Sequence, residues 1–390
     1  MRVLISGGGI AGLTLAYWLN RYRIPALVIE QAGNIRQEGY GLDFYGTGYD
    51  VAERMGILDT LREQQIQVES IPYVDARGKH ITALDTKLMQ KVLHGKYLAL
   101  MHGTLEDALY QAVANDVEIR YNSTITAVKN EAEGMIVTFN DGTSEIFDIL
   151  VGADGIHSRT RRLAFGPDER FQQYLGCYFA CYPLPDRYGI GHFRKNYVEP
   201  GRTAIAYNTN HEGEIVAFFM YKTPDVGFIP HEQRLPLLRK AFAGMGWVTQ
   251  NLLEDAPASE AIFMDTMSQI QMPTWHQGRV VLVGDACGCP TALSGQGASM
   301  AVGGAYILAE DLHEERDYTA AFQRYEQAVK PHVEQRQKNA RTTIKTFIPK
   351  SQTRLVTQRL FMKLLLREAF SGILLRQFGA QSILPEPHSV

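Results

Sequence analysis

Cysteine is scarce in this chain. Its 390 residues hold four, Cys177, Cys181, Cys287 and Cys289. None stands in the Cys-x-x-Cys spacing of a zinc site, so reduced thiols and no bound metal are expected. An excess of positive charge is missing as well. Against 42 Asp and Glu stand 39 Lys and Arg, a net charge of -3, which removes the electrostatic case for a nucleic-acid partner. No segment approaches the roughly 18 uninterrupted apolar residues of a membrane span, and the apolar start is cut off by glycines too soon for a signal peptide. These absences favour a cytoplasmic protein with a small-molecule partner. Low-complexity tracts are lacking too, and 45% hydrophobic with 21% charged residues is an ordinary globular composition. The length exceeds what one core usually serves, so two closely joined domains are expected.

What is present begins with the run Val3-Leu4-Ile5, ended by Gly7-Gly8-Gly9. Ile10 to Tyr22 follows with helical spacing, then Ala26-Leu27-Val28-Ile29-Glu30 behind Pro25, so the chain opens as strand, helix, strand. Beyond Glu30 the pattern loosens, with a helix-like stretch from Tyr49 to Met55. Thr104, three residues before Asp107, is the expected N-cap of the next helix. Ile119 to Val151 is spaced as strands, with a hairpin turn at Asn140-Asp141-Gly142 and a buried strand at Ile149-Leu150-Val151. Aromatic-rich runs at Cys177 to Tyr182 and Ile215 to Tyr221 read as an antiparallel sheet, with helices near Gln233 to Phe242 and Val248 to Leu253. Arg279 to Val283 returns to the buried-strand pattern and leads through a glycine-rich loop into a helix from Ala298 to Leu312. The first domain is therefore discontinuous. Beyond Tyr318 the pattern is helical, with breaks expected near Pro331 and Pro349. Lys350 to Phe378 is basic and amphipathic, and reads as a helix docked on its own protein in preference to a membrane-surface element.

The first loop carries the clearest chemistry. Gly7 suits the tight turn, Gly9 lets backbone approach a pyrophosphate, and Gly12 permits close helix packing. The helix from Ile10 and Ala11 points its amides and partial positive charge at the phosphates. Glu30, with Gln31 beside it, ends the second strand about 20 residues on, where a carboxylate accepts hydrogen bonds from a ribose diol. A dinucleotide site follows, without a choice between NAD and FAD.

Two later segments make that choice. Asp154-Gly155, with Ser158 and Arg161, follows the strand at Ile149. Gly284-Asp285-Ala286 follows the strand at Val280, with Gly295-Gln296-Gly297 beyond it. With the first loop, these resemble the three fingerprints of the single-component FAD-dependent aromatic hydroxylases related to p-hydroxybenzoate hydroxylase, in order and spacing over nearly the whole chain. The resemblance implies an α/β fold: a discontinuous Rossmann-like FAD-binding domain over 1–170 and 271–330, and an inserted, mainly antiparallel substrate domain over 171–270. Parts of 65–100 are candidates to join the substrate sheet. It further implies that Asp285 accepts a hydrogen bond from the ribityl chain, and that Gly295, Gln296, Gly297 and Ala298 set a helix N-terminus beside the pyrimidine end of the flavin. Backbone amides there suit the anionic reduced ring. Asp154 either touches the ligand or braces its loop.

The departures from the family pattern are informative. His102 stands where an arginine often contacts the cofactor, and Gly288 where a histidine usually closes the Gly-Asp-Ala run. Gly303-Gly304-Ala305-Tyr306 replaces a stretch where an acid is common. With Gly41-Leu42-Asp43-Phe44 after Arg36, the chain resembles the branch containing the tetracycline-inactivating monooxygenases. That analogy places Asp43 and Arg36 at the flavin and nicotinamide side, and makes C-terminal helices over 331–380 a bridge between the domains near the substrate mouth.

The implied activity is hydroxylation of a planar phenolic or enolic substrate, an aromatic polyketide or tetracycline-like antibiotic, by a monomer or weak dimer. NADPH or NADH delivers hydride to FAD, O2 adds to give a C4a-hydroperoxide, and oxygen passes to an electron-rich carbon. No side chain is assigned as catalytic, because the protein's part is to position the substrate and exclude water. Candidate substrate contacts are His192, Arg194 and Tyr207, each also readable as an ordinary sheet residue. The aromatics of Tyr178 to Tyr182 and Phe218 to Tyr221 form either a wall of the site or simple core. Cys287 and Cys289 read better as small buried residues than as a dithiol relay, since a disulfide between such near neighbours is strained. Alternatives are an epoxidase, a prenyl-chain reductase, a halogenase or a non-catalytic binder of the same fold. The Trp-x-Trp-x-Ile-Pro motif of halogenases is absent, Trp18, Trp247 and Trp275 being far apart.

Overall fold

The computed structural model describes residues 1–34, 39–291, 295–357 and 381–384. Arg36 and all of Lys350 to Phe378 beyond residue 357 lie outside the described residues. The strand Val3–Ser6 lies inside a six-stranded sheet. On one side it pairs in parallel with Ala26–Ile29, then Glu118–Arg120; on the other with Ile149–Gly152, then Val280–Leu282, with the antiparallel His276–Gln277 at the edge. The four central strands are apolar runs because both faces are covered, whereas the edge strands Glu118–Arg120 and His276–Gln277 are polar. Val3 and Ile5 point to the helices Ile10–Arg21 and Gly297–Glu314, while Leu4 points to a three-stranded sheet made of Ile125–Glu131, Gly134–Phe139 and Ser144–Phe147.

A second sheet has seven strands in the order Phe263–Ile270, Gln172–Pro185, Glu214–Lys222, Arg202–Asn208, Arg194–Glu199, Ser70–Val74, His80–Asp85. All pairs are antiparallel except Arg194–Glu199 with Ser70–Val74. The last two strands are joined by a turn in which the Asp75 carboxylate accepts the N–H groups of Arg77 and Lys79, both at 2.9 Å. Alternation sorts the aromatic runs by face. Tyr178, Tyr182, Phe219 and Tyr221 pack under the helix His231–Ala241 and its neighbours, whereas Phe179, Phe218 and Tyr207 turn to the other face, against Ile344 and Ile348.

Two expected helix boundaries are corrected. The helix Tyr318–Phe347 runs unbroken through Pro331. Val329 and Val333 are buried on either side of it, and their packing outweighs the roughly 3 kcal/mol that an interior proline costs. The helix expected to start at Thr104 begins at His102, with Met101 as a cap that offers no side-chain acceptor; Thr104 is buried in its first turn. None of the helices among the described residues is long and apolar enough to cross a membrane.

Candidate active site

A cavity of about 950 Å³ runs from the first glycine loop to the inner face of the seven-stranded sheet. Ligand clefts commonly span roughly 300–1,000 Å³, so this one lies at the upper end. At its first end, Gly7 has φ +116°, and a Cβ there would sit 2.4 Å from the Ala153 carbonyl oxygen. A Cβ on Gly12 would lie 1.9 Å from the Gly7 carbonyl oxygen, whereas one on Gly9 would meet only the Glu106 carboxylate, at 3.3 Å. Backbone is thus bared to the cavity at Gly9, where the helix Ile10–Arg21 begins without a side-chain cap. Its first amides are free of such a competitor for an anion.

Two carboxylates shape this end. Glu30 lines the cavity and accepts the N–H groups of Gly8 and Ala32, each at 2.8 Å. Each of its oxygens can accept a second hydrogen bond. Asp154 accepts the Ser158 hydroxyl, together with the Thr160 N–H at 2.8 Å and the Thr160 hydroxyl at 2.9 Å. Of the two roles open to it, bracing the turn is the one these bonds display. Arg161, fully buried, then ties this turn to the next loop by donating to Asp168 at 2.6 Å and to the Ala286 carbonyl at 2.9 Å.

Midway, Asp285 lines the cavity after the left-handed Gly284, at φ +64°. Burial among protein atoms pushes its carboxyl up, against hydrogen bonding from Cys289 and the field of His102. His102 also lines the cavity, its Nδ1 3.6 Å from the buried Glu106 carboxylate. Gly295, Gly297 and Ala298 line the same wall, but the Gln296 side chain turns inward, donating to the Tyr45 hydroxyl at 2.9 Å and accepting from Arg336 Nε. The adjoining helix starts at Gly297, again with no side-chain cap. At Gly288 a Cβ would come within 2.8 Å of Val333, so the helix Tyr318–Phe347 passes where a side chain would stand.

At the far end the cavity becomes apolar, lined by Ile71, Leu84, Ile205, Phe218 and Phe347. Set into these walls are Arg194, Tyr207 and Asp43. Asp43 accepts the Tyr97 hydroxyl at 2.6 Å and lies 3.7 Å from Arg194, whose Nε is buried without a hydrogen-bond partner. Tyr207 accepts the Gly41 N–H at 2.8 Å, and burial raises its pKa. His192 is not brought to the site. It is exposed two residues before its strand begins at Arg194, so the alternation that aims Arg194 and Asn196 inward does not reach it.

Sequence reasoning missed most of the chamber wall between Ile66 and Ala99, and Tyr97 as the partner of Asp43. The alternating Ser70–Val74 and His80–Asp85, hinged on an Asp-x-x-Gly turn, held the usable signal. All four cysteines are free and buried, and burial lifts Cys177 and Cys181 up to about 12 and Cys287 and Cys289 higher than usual too.

The residues present fit a dinucleotide with a flavin at its inner end: a backbone cradle that side chains would fill, an acid at the ribose position, and two uncapped helix N-termini. Residues 1–177 match the family model described as FAD binding domain. A flavin-dependent monooxygenase of Legionella longbeachae is 32% identical over 358 residues, covering 90% of this chain and 91% of the relative. The crystal structure of tetracycline destructase Tet(51) superposes with a TM-score of 0.83 at 28% identity, covering 98% of this chain and 99% of that one. Klebsiella pneumoniae HpxO, complexed with FAD and uric acid, shares the fold at a TM-score of 0.82 and 22% identity, over 97% and 96% of the two chains. The chain belongs to the flavin-dependent monooxygenases, within the family of FAD-dependent aromatic hydroxylases.

Proposed function

We propose that this monooxygenase hydroxylates a planar phenolic or enolic substrate, a tetracycline-like or other aromatic polyketide compound, with NADPH or NADH as reductant. The observation that carries the reading is the single cavity joining the glycine cradle to an apolar chamber that holds Arg194. Gly7, Gly9, Ile10, Ala11 and Gly12 would receive the diphosphate of FAD, and Glu30 with Gln31 the adenosine ribose. His102 and Asp285 would meet the chain between, with Gly295, Gln296, Gly297 and Ala298 at the pyrimidine end and Asp43 beside the ring. Bound FAD supplies hydride acceptance and O2 activation. The chain's own residues do the rest. Arg194 holds an ionised substrate oxygen by charge-assisted hydrogen bonds, which keeps the attacked carbon electron-rich. Ile71, Leu84, Phe218 and Phe347 exclude water and fix the ring plane. The division into an FAD-binding unit over 1–170 and 271–330 and a substrate unit over 171–270 belongs to this proposal, with strands Ser70–Val74 and His80–Asp85 added to the latter.

Resemblance to a tetracycline destructase supports the substrate class, and the phenolic or enolic requirement follows from electrophilic oxygen transfer. The test is a panel of planar phenols and enols, scored by NAD(P)H oxidation coupled to product mass. A substrate should accelerate oxidation and leave a product heavier by about 16 mass units. Oxidation that no compound accelerates, with peroxide as its sole product, would refute the proposal.

A further inference from the structure

The long helix Tyr318–Phe347 places one cation where the site described so far makes no use of it. Arg336 is 9% exposed, and its Nε donates to the Gln296 side chain. Gln296, 3% exposed, holds the step between Gly295 and Gly297, both of which line the cavity. Its other end donates to Tyr45, which lines the cavity beside Asp43. A guanidinium is thus set directly behind the loop assigned to the pyrimidine end of the flavin.

Fastening alone does not call for a charge there. Neutral amides already pin the same region to the helix: Gln337 donates to the Ile270 and Cys289 carbonyls at 2.7 and 3.1 Å, and Gln269 donates to the Gln337 and Pro290 carbonyls at 2.8 and 3.1 Å. A guanidinium stays charged in a protein, and burying it costs several kcal/mol that an amide would not. Its field also reaches the cavity wall. Burial pushes the Tyr45 hydroxyl up to about 12, while the Gln296 bond and Arg336 pull it down.

We infer that Arg336 is a positioning residue for the flavin: through Gln296 it fixes the Gly295–Ala298 loop, and its buried positive charge favours the reduced, anionic cofactor over the oxidised one. The inference rests on reading the cavity as an FAD site. It adds to the amides and helix dipole at Gly297 a full charge supplied from a distant part of the chain. The helix that closes the chamber with Phe347 therefore also sets how readily the flavin is reduced.

The test is the midpoint potential of bound FAD, with FAD affinity measured alongside, in wild-type holoenzyme, Arg336→Gln, Arg336→Lys and Gln296→Met. Arg336→Gln should weaken binding of reduced relative to oxidised FAD about tenfold, which is about 30 mV more negative for a two-electron couple. Arg336→Lys, which keeps the charge, should restore most of that shift. An FAD-loaded Arg336→Gln protein with the wild-type potential would overturn the inference, as would equal shifts in the Gln and Lys variants. Should Arg336→Gln fail to fold, Gln296→Met decides: a shift of the same sign supports the linkage, and an unchanged potential overturns it. Wild-type protein that binds no FAD would defeat the site reading itself, a result distinct from a potential that ignores Arg336.

Discussion

Gly12→Ala offers a way to separate the cradle from the fold around it. Gly12 lies in the first helix, outside the left-handed region, so alanine brings no backbone strain of its own. What it brings is a methyl 1.9 Å from the Gly7 carbonyl oxygen, where ordinary contact begins at 3.4 Å. The group it meets is backbone and a Cβ has no rotamer of its own, so no side-chain rotation can absorb the overlap. Strand end and helix must part by more than an ångström, enough to break hydrogen bonds from the loop amides to a phosphate. Losing one or two such bonds corresponds to about 1.4–2.8 kcal/mol, or about 10- to 100-fold in the FAD dissociation constant. Overpacking should also lower stability by about 1–3 kcal/mol. The control is Gly142→Ala, at φ +84° in the hairpin with no atom within 4 Å, which should cost about 1–2 kcal/mol of stability and leave FAD affinity alone. Fluorescence titration of apoprotein with FAD, paired with urea unfolding, reads both. A folded Gly12→Ala protein that binds FAD as tightly as wild type would refute the assignment of this loop to the diphosphate.

Arg194→Met should lower kcat/KM for an ionised substrate about 10- to 100-fold, the value of a charge-assisted hydrogen bond, without changing the flavin spectrum. Unchanged kcat/KM in steady-state assays would remove Arg194 from the substrate site. Burial pushes Asp311 up to about 6 from 3.8, against the pull of Arg324 at 3.0 Å and with help from Glu314, Glu310 and Glu315. The folded state therefore holds that proton more tightly than the unfolded one, and stability falls as pH rises from 3.8 through about 6. In urea unfolding across that window Asp311→Asn should lose this slope; an identical slope in both proteins would contradict it. His157 is raised above 6.5 chiefly by its hydrogen bond to Asp265 at 3.0 Å, which joins the Asp154 turn to the seven-stranded sheet. Its stabilisation should be complete below pH 6.5 and fade as pH rises through the folded value. The gap in Tm between wild type and His157→Ala should close accordingly, and a gap constant with pH would exclude the titration.

What could be read from the sequence was whatever is local and periodic. Val3-Leu4-Ile5, the glycine loop and Glu30 lie within one strand-helix-strand unit, so their spacing alone specifies their geometry. The same holds for Asn140-Asp141-Gly142, where the turn chemistry fixes the hairpin. What could not be read depends on contacts between distant segments. Tyr97 meets Asp43 because their strands pair, and Gln296 meets Arg336 because the long helix crosses behind the loop. Pro331 misled because propensity is local while the burial of Val329 and Val333 is tertiary. His192 misled for a related reason: assigning it to the inner face required knowing that its strand starts at Arg194.

The central claim is that oxygen from O2, activated at FAD in this cavity, is transferred to a substrate held in the Arg194 chamber. It is tested most directly by turnover of an accepted phenolic or enolic substrate under isotopically labelled O2 in ordinary water, followed by mass analysis of the product. The account predicts one labelled oxygen atom in each product molecule, with the rate of label uptake falling in Arg194→Met by the same factor as turnover. A product whose added oxygen comes from water, or one with no added oxygen, would contradict it.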